Sequence, residues 1–363
     1  MASRIGFMGA GAIGSYIGAF LTREKYDVTL IDPWPEHVET MKAHGLRASG
    51  SQGDFTVPVR AMHLTEVVNL EEPFDIVFIA MKSYDTEWAT MFMRRHLKPT
   101  GFMVCSQNGM NDETIARIVG YEHTVGLVMS GISVGLLEPG HVTRGGAVGR
   151  EHGHDVFRAG ELGGVTSPRT LALAEMLSCI DGSLVTTNLW GERWSKLATN
   201  CMGNTLTAMS GVAAGVLADI TPRFAVLRDE VAHELVSVGT ALGVNIEPIS
   251  GKTAAEWLDY RADTRAASAA PAPSAGAHSG PTYPSSWAAS TLQDIIKGRR
   301  SEVDYLNGYV SKRGREVGVE TPVNDAIVRV LKQVDEHAIQ PDPANVDRVW
   351  ESAYGRVASP VPA

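Results

Sequence analysis

Short apolar runs alternate with helical segments along the first half of the chain. Phe74–Ala80 is an apolar run interrupted only by Asp75, which is typical of a central parallel strand buried on both faces. The alternation predicts a parallel sheet flanked by helices. Strands are predicted at Arg4–Met8, Asp27–Ile31, Phe55–Val59, Phe74–Ala80 and Phe102–Cys105, strand-rich stretches at Leu127–Val142 and Ala147–Ala159, and helices at Ser15–Arg23, Glu36–His44 and Pro168–Cys179.

The second half has apolar residues at helical spacing over long segments, which predicts an all-α domain. These segments are Trp190–Met209, Pro222–Leu242, Ser301–Val317 and Val323–Ala338. Between them, Arg265–Gly280 is rich in alanine, proline, serine and glycine, and this composition predicts a flexible insertion or a lid. We therefore expect an α/β domain at 1–187, a helical domain at 188–345 that contains this insertion, and a C-terminal tail at 346–363.

A glycine-rich turn joins the first predicted strand to the first predicted helix, with the spacing GxGxxG. The first glycine permits a tight turn, the second lets the backbone approach a pyrophosphate, and the third lets helix and strand pack closely. A turn used only for packing is the alternative, but the second strand ends at Asp32, about 20 residues further on, as a dinucleotide-binding fingerprint requires. The residues predicted to bind a dinucleotide are Gly9, Ala10, Gly11, Ala12, Ile13 and Gly14.

Asp32 indicates which dinucleotide is bound. A carboxylate at the end of the second strand can accept hydrogen bonds from both ribose hydroxyls of the adenosine, and it would repel a 2′-phosphate. The following residues, Pro33, Trp34 and Pro35, supply no basic side chain to hold a phosphate. Asp32 therefore favours NAD over NADP, although it could instead cap the helix that starts near Pro35 or Glu36.

The predicted helix at Trp190–Met209 carries a row of polar groups. Lys196, Asn200 and Asn204 recur at four-residue spacing, so on an α-helix they lie along one flank. A partly desolvated lysine beside neutral amides can have its pKa lowered and act as a general acid, while the amides orient a polar substrate. The alternative is a partly exposed helix whose polar residues are only solvated. A separate apolar stripe is formed by Trp190, Trp194, Leu197, Cys201 and Ala208.

Two further candidates follow predicted strands. Lys82 follows the run that ends at Ala80, and Asn108 follows the strand that ends at Cys105. Ligands of doubly wound sheets bind in the crevice at the carboxyl ends of the strands, so both side chains are candidate ligand groups. A solvated lysine at a strand end is equally ordinary.

Two other pairs of polar residues are weaker candidates for a functional site. Ser301 resembles an N-cap with Glu302 in the first turn of the following helix, where the helix dipole favours a carboxylate, so Glu302 could be structural. His152 and His154 lie on a glycine-bearing loop, but no third ligand is nearby in the sequence, and we predict no metal site.

The composition limits the class of partner. The 363 residues suffice for two domains, and 32 basic against 41 acidic side chains give a formal net charge of −9, which argues against nucleic acid or an anionic membrane as the principal partner. A small-molecule substrate is the default. The three cysteines lack CxxC spacing, and the sequence has neither a signal-peptide layout nor an apolar run as long as a membrane span, so we expect a cytoplasmic protein.

Taken together, these residues resemble the ketopantoate reductase family (2-dehydropantoate 2-reductase). The resemblance covers nearly the whole chain. It implies an N-terminal Rossmann-type doubly wound parallel sheet and an all-α C-terminal domain of the 6-phosphogluconate dehydrogenase type, with the active site between them. We also expect a homodimer. Five motifs carry the resemblance in order: Gly9–Gly14, Met81–Tyr84, Gln107–Gly109, Lys196–Asn204, and Ser290 with Leu292–Asp294 through Glu302–Tyr305.

The resemblance also implies roles for individual residues. Lys196 would be the general acid, and Glu302 would help to place the substrate and the nicotinamide. Asn200, Asn204 and Ser290 would bind the substrate. Lys82 and Asn108 would lie at the cofactor, and Asn108 would also contact the substrate.

The sequence departs from the family pattern in three places. The family usually has a basic residue just after the second strand and uses NADPH, whereas this chain has Asp32. The insertion at Arg265–Gly280 is unusual, and Ile132, Val134 and Leu136 are more apolar than the threonine-bearing segment of the family. These differences suggest a changed substrate or a changed direction.

The predicted function is hydride transfer between a nicotinamide cofactor and a 2-oxo acid or related carbonyl. One alternative is an NAD-dependent alcohol or hydroxy-acid dehydrogenase that oxidises a bulkier substrate. Another is a non-catalytic NAD-binding sensor, but such a protein would need only the glycine turn and Asp32, so the presence of Lys196, Asn200, Asn204 and Glu302 argues against it.

Overall fold

The computed structural model describes residues 3–261 and 288–355. The chain divides into two compact units, Met1–Leu189 and Trp190–Ala363. The predicted insertion at Arg265–Gly280 lies outside the described residues.

Over its described residues, from 3 onward, the first unit contains two sheets and five α-helices. Its strands are β1 (Arg4–Met8), β2 (Asp27–Asp32), β3 (Leu46–Gly50), β4 (Phe55–Val57), β5 (Arg60–His63), β6 (Phe74–Ile79), β7 (Leu97–Cys105), β8 (Thr124–Met129), β9 (Ser133–Glu138), β10 (His141–Gly145), β11 (Phe157–Glu161) and β12 (Ser183–Val185). Its helices are α1 (Ala12–Arg23), α2 (Pro35–His44), α3 (Thr86–Arg94), α4 (Asp112–Val119) and α5 (Pro168–Leu177).

The larger sheet has the strand order β12-β11-β8-β7-β6-β1-β2-β5. The six strands from β8 to β5 are parallel, and β11 runs antiparallel to β8. Side chains of the central strands alternate between two apolar clusters, with Phe7 and Phe78 stacked at 4.4 Å on one face and Val77 and Ile79 on the other. Burial on both faces explains why β6 is apolar at every position except Asp75 and confirms the predicted α/β sheet.

The smaller sheet, with the order β4-β3-β10-β9, was not predicted as a separate layer. Helix α1 packs between it and the larger sheet. A turn through Pro139 and Gly140 joins β9 to β10. The strand-rich prediction for Ala147–Ala159 is wrong except at its end, because Gly149 and Arg150 donate their backbone N–H groups to the buried Asp181 and form a loop there.

The second unit is helical in the part of the chain that the structure describes, apart from one isolated bridge between Ile249 and Lys252. A π-helical turn, Asn200–Asn204, separates its first two helices. The helices are α6 (Leu189–Thr199), α7 (Thr205–Ser210), α8 (Ala214–Ile220), α9 (Pro222–Ala241), α10 (Ala254–Leu258), α11 (Ser290–Ile296), α12 (Asn307–Val317), α13 (Pro322–Asp335) and α14 (Asn345–Tyr354).

Two predictions for the second unit differ from the structure. The range 346–363 that was assigned to a C-terminal tail includes most of α14, whose Val346, Val349 and Trp350 are buried. The helix predicted from Ser301 starts later, at Asn307, after a short 3-10 turn at Val303–Tyr305. Over the described residues no single helix is long and apolar enough to span a membrane. The segments Leu189–Ser210 and Ala214–Ile220 meet the length and hydropathy of a span only when they are taken together, and they are bent by 72° relative to each other.

Candidate functional site

The glycine turn between β1 and α1 is shaped by two close contacts and one open position. Gly9 has φ +103°, and a Cβ there would lie 2.8 Å from the carbonyl carbon of Ala80. A Cβ at Gly14 would lie 2.0 Å from the backbone oxygen of Gly9. A Cβ at Gly11 would meet nothing within 4 Å. Gly9 and Gly14 are therefore required by packing, whereas Gly11 leaves open space beside the backbone at the start of α1, as a dinucleotide pyrophosphate needs.

Asp32 holds this turn as well as ending β2. Its Oδ2 accepts a hydrogen bond from the N–H of Ala10 at 2.8 Å, and its Oδ1 accepts one from the N–H of Trp34 at 2.9 Å. The side chain is 8% exposed. Trp34, rather than Asp32, is the N-cap of α2, so Asp32 is not the cap of that helix.

The segments that follow β6 and β7 are tied together by two buried amides, Gln107 of a family motif and Asn111, which the sequence analysis did not identify. Gln107 donates to the backbone oxygen of Met81 at 2.9 Å, and Asn111 donates to the hydroxyl of Ser83 at 3.0 Å. Lys82 and Asn108 are both half-buried. The prediction that these two residues lie at the carboxyl edge of the sheet is confirmed, while their predicted roles stay predictions.

In the second unit, Lys196 lies near the end of α6. Its side chain is half-buried, and burial lowers the pKa of its ammonium to about 8. Within residues 3–261 and 288–355 its ammonium makes no hydrogen bond or ion pair. The predicted apolar stripe is buried at Trp194, Leu197, Cys201 and Ala208, whereas Trp190 is half-buried.

The predicted continuous helix at Trp190–Met209 is interrupted by the π-helical turn, which starts at Asn200 and ends at Asn204. The turn keeps the two amides in contact, because Asn204 Nδ2 donates to Asn200 Oδ1 at 3.3 Å. Asn204 Nδ2 also lies 3.3 Å from the hydroxyl of Ser290, at the start of α11. Three of the predicted substrate-binding residues therefore form one cluster. π-Turns inside α-helices are rare and are frequent at functional sites.

Asn200 is not a solvated surface residue, since its side chain is only 3% exposed. Its Nδ2 has no hydrogen-bond partner among the residues that the structure places. A buried amide donor left unpaired costs about 1 to 3 kcal/mol, so it needs an explanation. A polar ligand that accepts a hydrogen bond there would supply one.

Ser301 and Glu302 differ from their predicted arrangement. Ser301 donates its hydroxyl to Asp335 at 2.6 Å and its backbone N–H to the same carboxylate at 3.0 Å, so it anchors to the end of α13 and does not cap a helix running to Val317. Glu302 is 6% exposed and precedes the 3-10 turn, whose end at Leu306 has φ −106° and ψ −100°. This backbone break prevents the helix from starting at Ser301.

Comparison with known proteins shows the family. The model described as "Ketopantoate reductase PanE/ApbA" matches residues 5–153, and the model of the C-terminal domain of the same family matches residues 188–335. This chain belongs to the ketopantoate reductase family. The predicted family and the predicted fold class are therefore confirmed.

Relatives in the ketopantoate reductase family match along nearly their whole length. A 2-dehydropantoate 2-reductase of Archaeoglobus fulgidus is 27% identical over 340 residues, covering 92% of this chain and 98% of the relative. One of Lactococcus lactis is 26% identical over 337 residues, again covering 92% and 98%.

Two solved structures have similar folds. A PanE/ApbA family ketopantoate reductase from Ralstonia eutropha has a TM-score of 0.73 and 25% identity, covering 92% of this chain and 99% of that one. A ternary structure of D-mandelate dehydrogenase with NADH and anilino(oxo)acetate has a TM-score of 0.69 and 23% identity, with coverage of 92% and 98%. The second likeness concerns the fold alone.

Two residues of this ketopantoate reductase family member were missed by the sequence analysis. Ser15 and His37 both bind the backbone oxygen of Ala10, at 2.6 and 2.9 Å. The signal that could have found His37 is its position four residues before Met41, which places the two side chains on the same buried face of α2. Between residues 3–261 and 288–355, no group of three or more histidine, cysteine, aspartate or glutamate side chains could hold a metal ion.

Proposed function

We propose that this protein is a nicotinamide-dependent oxidoreductase that transfers hydride between the cofactor and a 2-oxo acid or its 2-hydroxy acid. The observation that carries the proposal is Lys196, whose half-buried ammonium has a pKa of about 8 and lies one turn before the unpaired amide of Asn200. A perturbed pKa beside unsatisfied polar groups is typical of a catalytic site. Family membership supports the reaction class.

The chain's own residues would act as follows. A nicotinamide dinucleotide held by its pyrophosphate at the glycine turn would supply the hydride for the carbonyl carbon of the substrate. Lys196, in its protonated form, donates a proton to the carbonyl oxygen as negative charge develops there. Because its pKa is about 8, Lys196 is mostly protonated near neutrality and still releases its proton more readily than an ordinary lysine. In the oxidative direction neutral Lys196 accepts the proton of the alcohol.

The polar cluster would hold the substrate. Asn200 offers its unpaired Nδ2 as a donor to a carboxylate or carbonyl oxygen, while Asn204 and the hydroxyl of Ser290 orient that amide. We assign Glu302 to placing the substrate and the nicotinamide. Lys82 and Asn108, at the carboxyl edge of the sheet, would contact the cofactor, and Asn108 would also contact the substrate.

Asp32 supports NAD as the preferred cofactor. Its carboxylate lies at the carboxyl end of β2, beside the glycine turn, where its two oxygens accept from the N–H groups of Ala10 and Trp34, and a carboxylate oxygen at this position can accept from a ribose hydroxyl. Its negative charge at this position would repel the 2′-phosphate of NADP. The same residue favours a second candidate function, an NAD-dependent hydroxy-acid or alcohol dehydrogenase that works mainly in the oxidative direction on a bulkier substrate.

The test is an absorbance assay at the nicotinamide band, with a panel of 2-oxo acids in the reducing direction and 2-hydroxy acids and alcohols in the oxidising direction. Each substrate is measured with both cofactors. Turnover should be lost in Lys196→Ala and kept in the control Lys312→Ala, whose lysine is exposed on α12. Tight NADH binding without turnover on any substrate would instead mean a non-catalytic sensor.

A homodimer in the cytoplasm is also part of the proposal. A ketopantoate reductase from Staphylococcus aureus, with 18% identity and a TM-score of 0.67, is described as dimeric, and this likeness concerns the fold alone. Sedimentation equilibrium of the purified protein measures the oligomeric state directly, and a monomer at micromolar concentration would contradict this part of the proposal.

A further inference from the structure

His37 joins two segments of the first unit that are far apart in sequence. Its side chain is fully buried on α2. The ring Nδ1 accepts a hydrogen bond from the N–H of Gly140 at 2.9 Å, and the ring Nε2 lies 2.9 Å from the backbone oxygen of Ala10. One imidazole therefore links the turn of the β9–β10 hairpin to the glycine turn.

The partners of the ring fix its protonation. A backbone N–H can only donate, so Nδ1 must be the unprotonated nitrogen, and Nε2 carries the proton that it donates to Ala10. Burial lowers the pKa of His37, although the nearby charge of Asp32 acts in the opposite direction. The neutral ring with its proton on Nε2 is thus the form that satisfies both contacts.

The hydrogen bond from His37 Nε2 to the backbone oxygen of Ala10 orients the peptide between Ala10 and Gly11. The carbonyl of Ala10 points at two donors, Nε2 of His37 and the hydroxyl of Ser15. In a planar trans peptide the C=O and the next N–H point in opposite directions, so the N–H of Gly11 points away from these donors. A Cβ added at Gly11 would meet no atom within 4 Å, so the space beside the Gly11 backbone is open.

We propose that His37 is a positioning residue for the cofactor, which aims the N–H of Gly11 at the dinucleotide pyrophosphate by holding the carbonyl of Ala10. The inference rests on the proposed function. The Ser15 hydroxyl donates a second hydrogen bond to the same carbonyl, and the carboxylate of Asp32 accepts a hydrogen bond from the N–H of Ala10.

The Nδ1 atom of His37 contacts the turn at Gly140, whose conformation is closely constrained. Gly140 has φ +73°, and a Cβ there would lie 2.6 Å from Cγ2 of Thr40 on α2. The backbone oxygen of Gly140 accepts from the N–H of Arg47 at 2.9 Å. Because the imidazole ring is rigid, it transmits the position of this turn to Ala10.

Two substitutions at His37 test the hydrogen bonds of its two ring nitrogens separately. In His37→Gln the amide Nε2 can reach the position of the imidazole Nε2 and keep the bond to Ala10. In His37→Asn the shorter amide can keep the bond to Gly140 and loses the bond to Ala10. His44→Asn is the matched control, because His44 lies on the same helix and is exposed.

The measurements are the Kd for NADH by fluorescence titration, the KM for NADH with kcat, and the melting temperature. We expect His37→Asn to raise Kd and KM about tenfold with kcat nearly unchanged, as for the loss of one hydrogen bond to a ligand-binding peptide. His37→Gln should stay within about threefold of the wild-type Kd, and His44→Asn should match the wild type. A purely structural role would lower the melting temperature of both His37 variants without this difference in Kd.

The outcomes are distinguishable. If the wild type and His44→Asn bind neither NADH nor NADPH, the proposed function is wrong and this inference is wrong with it. If the wild type binds NADH and His37→Asn, still folded, binds it equally well, only the role of His37 is wrong. Should His37→Asn not fold, Ser15→Ala decides, since it removes the other donor to Ala10: an unchanged Kd overturns the inference, and a raised Kd with unchanged kcat supports it.

Discussion

The two units hold their candidate groups in different ways. In the first unit the groups that would meet the pyrophosphate of the cofactor belong to the backbone, and both polar atoms of Ala10 already have protein partners. In the second unit the candidate groups are side chains. In the described parts of the chain, the ammonium of Lys196 and Nδ2 of Asn200 have no partner at all.

This difference reflects what each site has to do. A phosphate-binding turn works when its N–H groups are fixed in direction, so every hydrogen bond behind it can be made by the protein. A general acid and a substrate-binding amide must keep donors available for the substrate, which leaves them unpaired and desolvated. Substitutions in the first unit should therefore change cofactor affinity or stability, and those in the second should change turnover.

The largest expected effect is at Lys196. Lys196→Ala should lower kcat by ~10²- to 10⁴-fold, the usual contribution of a positioned acid, with the Kd for NADH nearly unchanged. Arginine should not restore activity, because its pKa is too high for it to release a proton near neutrality. Steady-state kinetics and a cofactor titration measure both quantities. A Lys196→Ala enzyme that keeps more than about a tenth of the wild-type kcat would contradict the role of obligatory acid.

The next effect concerns the choice of cofactor. Asp32 should favour NAD over NADP by roughly 2 to 4 kcal/mol, or about 30- to 700-fold in kcat/KM, through ribose hydrogen bonds and repulsion of the 2′-phosphate. Asp32→Asn should shrink the ratio, whereas Asp27→Asn, at the amino end of the same strand, should leave it unchanged. Equal kcat/KM values for the two cofactors in the wild type would sink this assignment.

Two glycine substitutions sharpen the comparison inside the first unit. Gly14→Ala should lower the free energy of unfolding by about 1 to 3 kcal/mol, because its Cβ would collide with the oxygen of Gly9. Gly11→Ala should leave the melting temperature nearly unchanged, since its Cβ enters open space, but should raise the Kd for NADH about tenfold. Equal losses of stability in the two variants would show that Gly11 is structural too.

The smallest effect is on the pH dependence of turnover. The pKa of Lys196 is lowered to about 8, so the acid form is present below that pH and is lost as the pH rises through it. In the reducing direction kcat should fall to about half of its neutral value near pH 8, while oxidation should increase over the same range. A kcat for reduction that stays flat up to pH 10 would mean that the proton comes from another group.

The parts that could be predicted from the sequence depend on neighbours along the chain. The strand, glycine turn and helix from β1 to α1 were predicted because periodicity and turn chemistry are local. Asn200 and Asn204 were predicted from their four-residue spacing with Lys196, whereas Ser290 was reached only through the family resemblance, since it comes 86 residues after Asn204.

The parts that were missed depend on distant partners or on backbone irregularity. His37 has its partners 27 and 103 residues away, at Ala10 and Gly140. The smaller sheet pairs β3 with β10, which no local pattern indicates. The helix start predicted at Ser301 was wrong because the backbone breaks at Leu306, which delays the helix to Asn307.

Because Asn200–Asn204 forms a π-helical turn, this segment could be shortened by one residue without changing the helices on either side of it. A π-turn closes with i→i+5 hydrogen bonds and so holds one more residue than an α-turn. Deleting Gly203, where a Cβ would meet nothing within 4 Å, would leave an ordinary α-turn between α6 and α7. Leu197 and Leu206 could stay in the core, but Asn204 would rotate away from Ser290. We expect such a deletion to keep the melting temperature within a few degrees and to abolish turnover, which would make the extra residue a requirement of catalysis and not of folding.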